Sequence, residues 1–143
     1  MRLFDKSLVN LDIEVKDAEE AIRGAGQLLV DSGAAEASYV EAMLAAYREK
    51  GPYIVIAPHI ALPHAKAESG VHEAAVAFAR LKEPVKFGHA DNDPVDLVFA
   101  LGSSSSSDHI KLLRTLSSLL TDPANIEAIR SAKSAEELEN LLK

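Results

Sequence analysis

Apolar residues recur at helical spacing over two early stretches of the chain. Ala18, Ala21, Ile22, Ala25, Leu28 and Leu29 fall on one face of a helix running from Asp17 to about Ser32. Asp17, with Glu20 three residues later, reads as a capping box, and Gly33 follows as a stop. A second helix begins near Ser38, with Glu41 in the same relation to it. Val40, Met43, Leu44 and Tyr47 form its apolar face, and Gly51-Pro52 ends it. The period then changes. Tyr53-Ile54-Val55-Ile56-Ala57 is a β-branched run stopped by Pro58, the pattern of a buried strand. Ala74 to Leu81 is a longer strand closing at Lys82-Glu83-Pro84, and Val85-Lys86-Phe87 alternates as a further short one. Val95 to Leu101 is the strongest strand signal, set between Asp91-Asn92-Asp93-Pro94 and Gly102. Helical spacing returns at Asp108 or His109 with Ile110, Leu113, Leu116, Leu119 and Leu120, and ends near Asp122-Pro123. Two shorter helices follow, the last capped by Ser134 with Glu137 at its third position. Helices, then strands, then helices imply a sheet covered by helices, in one domain over residues 1–143.

Composition narrows the chemistry more than the fold. Apolar residues are 48% of 143, enough for one substantial core. Met1 to Ser7 lacks the apolar region of a signal peptide, and no apolar run approaches the roughly 20 residues of a membrane span. The chain is therefore read as cytosolic. With 15 basic and 22 acidic residues the net charge is −7 and no basic cluster offsets it, which argues against nucleic acid as a partner. There is no cysteine, so disulfides, thiolate metal sites and cysteine nucleophiles are excluded. Histidine is left as the candidate for covalent chemistry near neutral pH.

The segment Ala57-Pro58-His59-Ile60-Ala61-Leu62-Pro63-His64-Ala65 is the centre of that chemistry. Its two prolines forbid a helix and fix much of the backbone. His64, directly after Pro63 and beside small Ala61 and Ala65, can be held at a rigid turn. One ring nitrogen would then be tied to a backbone or side-chain acceptor and the other left to attack a phosphoryl group. The plainer reading, a histidine in a turn between strands, stays open on chemistry alone. A metal site shared by His59, His64 and His72, as in a small hydrolase, is disfavoured. Residues five apart on an extended segment face opposite ways, and no Asp or Glu nearby completes a ligand set. His72 and His89 are expected in solvent. Gly102 to Ser107, followed by Asp108 and His109, is either a flexible serine loop or an anion site. It follows the best strand and enters a helix whose free N–H groups and dipole favour negative charge. No Walker, GxGxxG or GxSxG motif occurs, so any phosphate must come from a partner.

Taken in order, Gly51 to Pro58, Ile60 to Ala65, Leu81 to Phe87, and Val95 to Leu101 with His109 and its leucine helix resemble the EIIA domains of the bacterial phosphotransferase system (PTS), mannitol/fructose class, over nearly the whole chain. Gly51-Pro52-Tyr53 and Asp91 to Asp96 look most like the ascorbate-type, pentitol-annotated branch. The resemblance implies an α/β fold, a mixed β-sheet of about five strands flanked by helices. It implies that the carrier HPr phosphorylates His64, which donates to a cysteine of EIIB while the membrane component EIIC brings in the sugar. His109 matches the second histidine, which assists the phosphoryl group, and Arg48 takes the place of an arginine found near the phosphate in some mannitol-type members. It implies neither cofactor nor metal. His59 departs from the pattern, since relatives commonly carry a small residue such as glycine there. Two alternatives accompany this reading: a regulatory module that senses phosphorylation without feeding a transporter, and a homodimer packed on an apolar helix stripe.

Overall fold

Two central strands, apolar on both faces, organise the molecule. The computed structural model describes residues 1–142. A short strand, β1 (Arg2–Leu3), and a 3-10 turn lead into β2 (Val9–Ile13), then α1 (Ala18–Asp31) and α2 (Ala37–Lys50). A hairpin of β3 (Val55–Ala57) and β4 (Ile60–Ala61) follows, then the long strands β5 (Ala75–Val85) and β6 (Val95–Gly102). The described chain ends with α3 (Ser106–Leu120), α4 (Pro123–Ser131) and α5 (Ala135–Asn140). No helix among the described residues is long and apolar enough to cross a membrane.

The six strands form one mixed sheet in the order β1-β5-β6-β4-β3, with β2 also paired along β5. β5 and β6 are antiparallel, whereas β4 runs parallel to β6. Alternation along the central strands divides the core in two. Ala75, Ala77, Ala79 and Ala100 face Ala21, Ile22, Ala25 and Leu29 of α1. Small side chains on both surfaces let that helix lie close to the sheet. On the other face Val76, Phe78, Leu97, Phe99 and Leu101 pack against Leu112, Leu116 and Leu119 of α3, with the Phe78 and Phe99 rings 4.7 Å apart. Burial on both faces is why these strands read as nearly unbroken apolar runs.

Several local expectations are corrected. β1 and β2 were not foreseen, although Val9 to Ile13 alternates in burial along its length. β5 continues through Pro84 to Val85 instead of stopping at Lys82; a register shift between Arg80 and Val85 accommodates a residue with no N–H to give. α2 starts at Ala37 behind Glu36, with no side-chain cap, because the Ser38 hydroxyl donates to the Ser69 carbonyl 2.9 Å away. α3 starts earlier than Asp108: Ser105 is its cap, accepting from the Asp108 N–H at 3.1 Å. The caps at Asp17 and Ser134 stand as read.

Candidate functional site

β4 and β6 are parallel neighbours, so the segments leaving their carboxyl ends emerge side by side. His64 is the third residue after β4 and Ser103 follows β6 directly. The Leu101 N–H donates to the Pro63 carbonyl at 2.9 Å, and the Leu62 N–H to the Ile54 carbonyl at 2.8 Å. Those bonds extend the ladder past the short strand and hold the proline turn against the sheet.

The His64 ring is fixed from within its own turn. Nδ1 lies 2.7 Å from the Leu62 carbonyl oxygen. A carbonyl can only accept, so Nδ1 carries a proton and, in the neutral ring, Nε2 is left with its lone pair. Tyr53 stands edge-on to this ring at 5.8 Å, and the His109 ring lies 5.4 Å away on another side. His109 Nδ1 is 2.9 Å from the hydroxyl of Ser103, a residue only 6% exposed. Burial first, and then the neighbouring His64, hold the His109 pKa below its usual value, which keeps the ring neutral near pH 7.

Tyr39 ties the two loops together. Its ring is completely buried under α2. Its hydroxyl donates to the Leu101 carbonyl at the end of β6 and accepts the Ala65 N–H at 3.0 Å, one residue past His64. Burial pushes the phenol up to about 12, so it serves as a neutral crossbeam and not as an acid. Sequence reasoning passed over Tyr39. The available signal was a tyrosine on the apolar face of a helix, where a buried hydroxyl needs a partner.

An open cleft of about 780 Å³ lies over His64. Ala42, Ala45 and Ala46 of α2 line it on one side, and the first turn of α3 with Ile110 on the other. Ile110 is 54% exposed and Tyr53 41%, so the rim is apolar around a polar centre. Ser103, Ser105 and Ser106 also line it. In the first helical turn the N–H groups of Ser106 and Ser107 have no intrahelical acceptor and present a positive partial charge. Asp108, which could have opposed an anion there, instead takes the Ser104 hydroxyl at 2.6 Å.

His64 and His109 are thus brought together, and the other candidates are not. Arg48 does not line the cleft: its guanidinium meets Glu19 of α1 at 2.5 Å, and the cation that lines the cleft from α2 is Lys50, whose Nζ sits 5.8 Å from the centre of the Tyr53 ring. His59 turns away. Its Nδ1 is 2.7 Å from the Pro94 carbonyl and its φ of 70° lies in the left-handed region, which accounts for a preference for glycine at this turn. His72 is exposed, as expected, but pairs with Glu36 at 2.7 Å. His89 is half-buried and accepts the Asn92 N–H at 3.1 Å through Nδ1, a turn role and not a solvated one. Among the described residues no three His, Cys, Asp or Glu side chains are grouped to hold a metal ion.

Comparison with known proteins gives a consistent picture. The sequence profile of the family described as "Phosphoenolpyruvate-dependent sugar phosphotransferase system, EIIA 2" matches residues 2–143. The ascorbate-specific PTS system EIIA component of Salmonella choleraesuis (strain SC-B67) is 32% identical over 141 residues, covering 98% of this chain and 92% of that protein. PtxA of Streptococcus mutans superposes with a TM-score of 0.90 at 30% identity, over 99% of this chain and 93% of that one. Enzyme IIA of the mannitol system of Escherichia coli, solved in complex with phosphorylated enzyme IIB, superposes with a TM-score of 0.83 at 31% identity, covering 96% and 95%.

Proposed function

Since the chain belongs to the EIIA 2 family of the phosphoenolpyruvate-dependent sugar phosphotransferase system, we propose that His64 is its phosphoryl acceptor, loaded by phospho-HPr and unloaded to a cysteine of a separate EIIB chain. The observation that carries this reading is the bond from His64 Nδ1 to the Leu62 carbonyl, which in the neutral ring places the lone pair on Nε2, beside an open cleft.

In the transfer, the Nε2 lone pair forms the new N–P bond as the bond to the histidine nitrogen of HPr breaks, and that nitrogen recovers its electron pair. The His64 ring becomes cationic, and the Leu62 carbonyl, already accepting from Nδ1–H, faces the developing charge. His109 and the free N–H groups opening α3 donate to the phosphoryl oxygens. The phosphoramidate donor is already reactive, so the site acts chiefly by positioning. No role is assigned to Arg48, whose charge is satisfied by Glu19. The apolar rim of Ala42, Ala46, Tyr53 and Ile110 receives the partner protein. The phosphoryl group on the EIIB cysteine would then pass to a carbohydrate as EIIC brings it in, L-ascorbate or a related pentitol-type substrate. The ascorbate-specific relatives at about 30% identity support that choice.

Incubation with Enzyme I, HPr and labelled phosphoenolpyruvate tests the acceptor. Label is expected on the native chain and absent from His64→Ala; label that persists on the variant would overturn the assignment. Addition of candidate EIIB chains, followed by ascorbate or a pentitol with EIIC membranes, then identifies the route out.

A further inference from the structure

His64 and His109 stand with their rings 5.4 Å apart, and each binds through Nδ1, but to partners of different kinds. Leu62 offers a carbonyl, which accepts only. Ser103 offers a hydroxyl, which can do either. The surroundings of that hydroxyl decide. Ser103 is almost wholly buried, and among the described residues its Oγ makes no hydrogen bond except to His109. The backbone beside it is the first turn of α3, a source of N–H donors and not of acceptors. The carboxylate nearest in sequence, Asp108, is engaged by Ser104. The hydroxyl proton therefore has one protein acceptor, His109 Nδ1. If Nδ1 carried the ring proton instead, the buried hydroxyl proton would be left without a partner, an unfavourable arrangement.

We propose that Ser103 is a positioning residue whose hydroxyl donates to His109 Nδ1 and so keeps the ring proton on Nε2, making His109 a fixed donor toward the phosphoryl group on His64. The proposal rests on His64 being the acceptor. The two rings then carry opposite tautomers: Nε2 of His64 is bare and attacks, while Nε2 of His109 is protonated and donates. No protonated imidazolium is needed, in keeping with the partial burial that disfavours one at this position. Nothing in the serine run as a sequence separates Ser103 from the four serines after it; only its burial at the end of β6 does.

The tautomer measurement uses the unphosphorylated chain with no partner present, so that arm is independent of whether HPr is the donor. Two-bond proton–nitrogen correlation spectra of the ¹⁵N-histidine-labelled protein are expected to show His109 as the Nε2–H tautomer and His64 as the Nδ1–H tautomer. Ser103→Ala is expected to mix the His109 tautomers, leave the His64 pattern unchanged and slow phosphotransfer about tenfold, the worth of one hydrogen bond. Ser103→Thr, which keeps the hydroxyl, is expected to restore both. A native spectrum with the His109 proton on Nδ1 would overturn the proposal, as would a Ser103→Ala protein with native tautomers and rate. If His64→Ala still accepts label while the tautomers are as expected, the function assigned to His64 fails and the protonation of His109 stands.

Discussion

His109 links the site to the stability of the chain through its protonation. Its pKa is lowered by burial, with a smaller contribution from His64. In the unfolded chain it returns to about 6.5. Between the folded and unfolded values the unfolded chain binds more protons, so stability rises with pH there and falls as pH drops below about 6.5. Above that value the residue adds no pH dependence. His109→Gln is expected to lose less stability than the native protein on going from about pH 7.5 to 5.5, as measured by urea midpoints. The carboxylates are common to both proteins and cancel in the difference.

At the scale of elements, Arg80 of β5 fastens α4 to the sheet. Its guanidinium forks onto Asp12 and also donates to the carbonyls of Ile129, Arg130 and Ala132, where α4 ends. A cation at a helix carboxyl end satisfies acceptors that the helix itself cannot. Arg80→Leu is expected to fray α4 and to destabilise the fold by about 1.5–3 kcal/mol, the range for hydrogen bonds to a charged group, read as a lower urea midpoint and faster amide exchange over α4. Local sequence was a good guide where an element depends on its own residues. The caps at Asp17 and Ser134 and the stop at Gly33 were legible because each acts within a turn. The start of α3 was not, because five adjacent serines offer equivalent caps. β1 and β2 escaped notice because they are short and exist as strands by pairing with β5, far along the chain. His64 and His109 could be named from sequence, whereas Tyr39, Ser103 and the turning-away of Arg48 depend on tertiary contacts that no spacing encodes.

Across the whole molecule the proposed reacting groups, His64 and His109, sit where the two halves of the core meet. α2 belongs to one face of the sheet and α3 to the other, and the cleft opens between them at the carboxyl end of the parallel pair β4 and β6. This is where ligand sites form in sheets with parallel strands. Tyr39 is the polar tie from the α2 layer to both site loops. Tyr39→Phe keeps the packing but leaves the Leu101 carbonyl and the Ala65 N–H without that partner. It is expected to cost about 1–3 kcal/mol of stability and to slow phosphotransfer, with the loss of stability read by urea denaturation and the rate by label uptake.

With His64 as the proposed acceptor, the bond between its Nδ1 and the carbonyl two residues before it would fix the constitution of the product as well as the nucleophile. A phosphate arriving at Nε2 gives τ-phosphohistidine, and the π isomer is blocked because its nitrogen is already occupied by a proton held in the turn. That choice is written into three consecutive residues, Leu62-Pro63-His64. Substitutions around the cleft would therefore alter how fast the chain is loaded without altering which isomer it carries, and isomer-specific antibodies would see one species throughout.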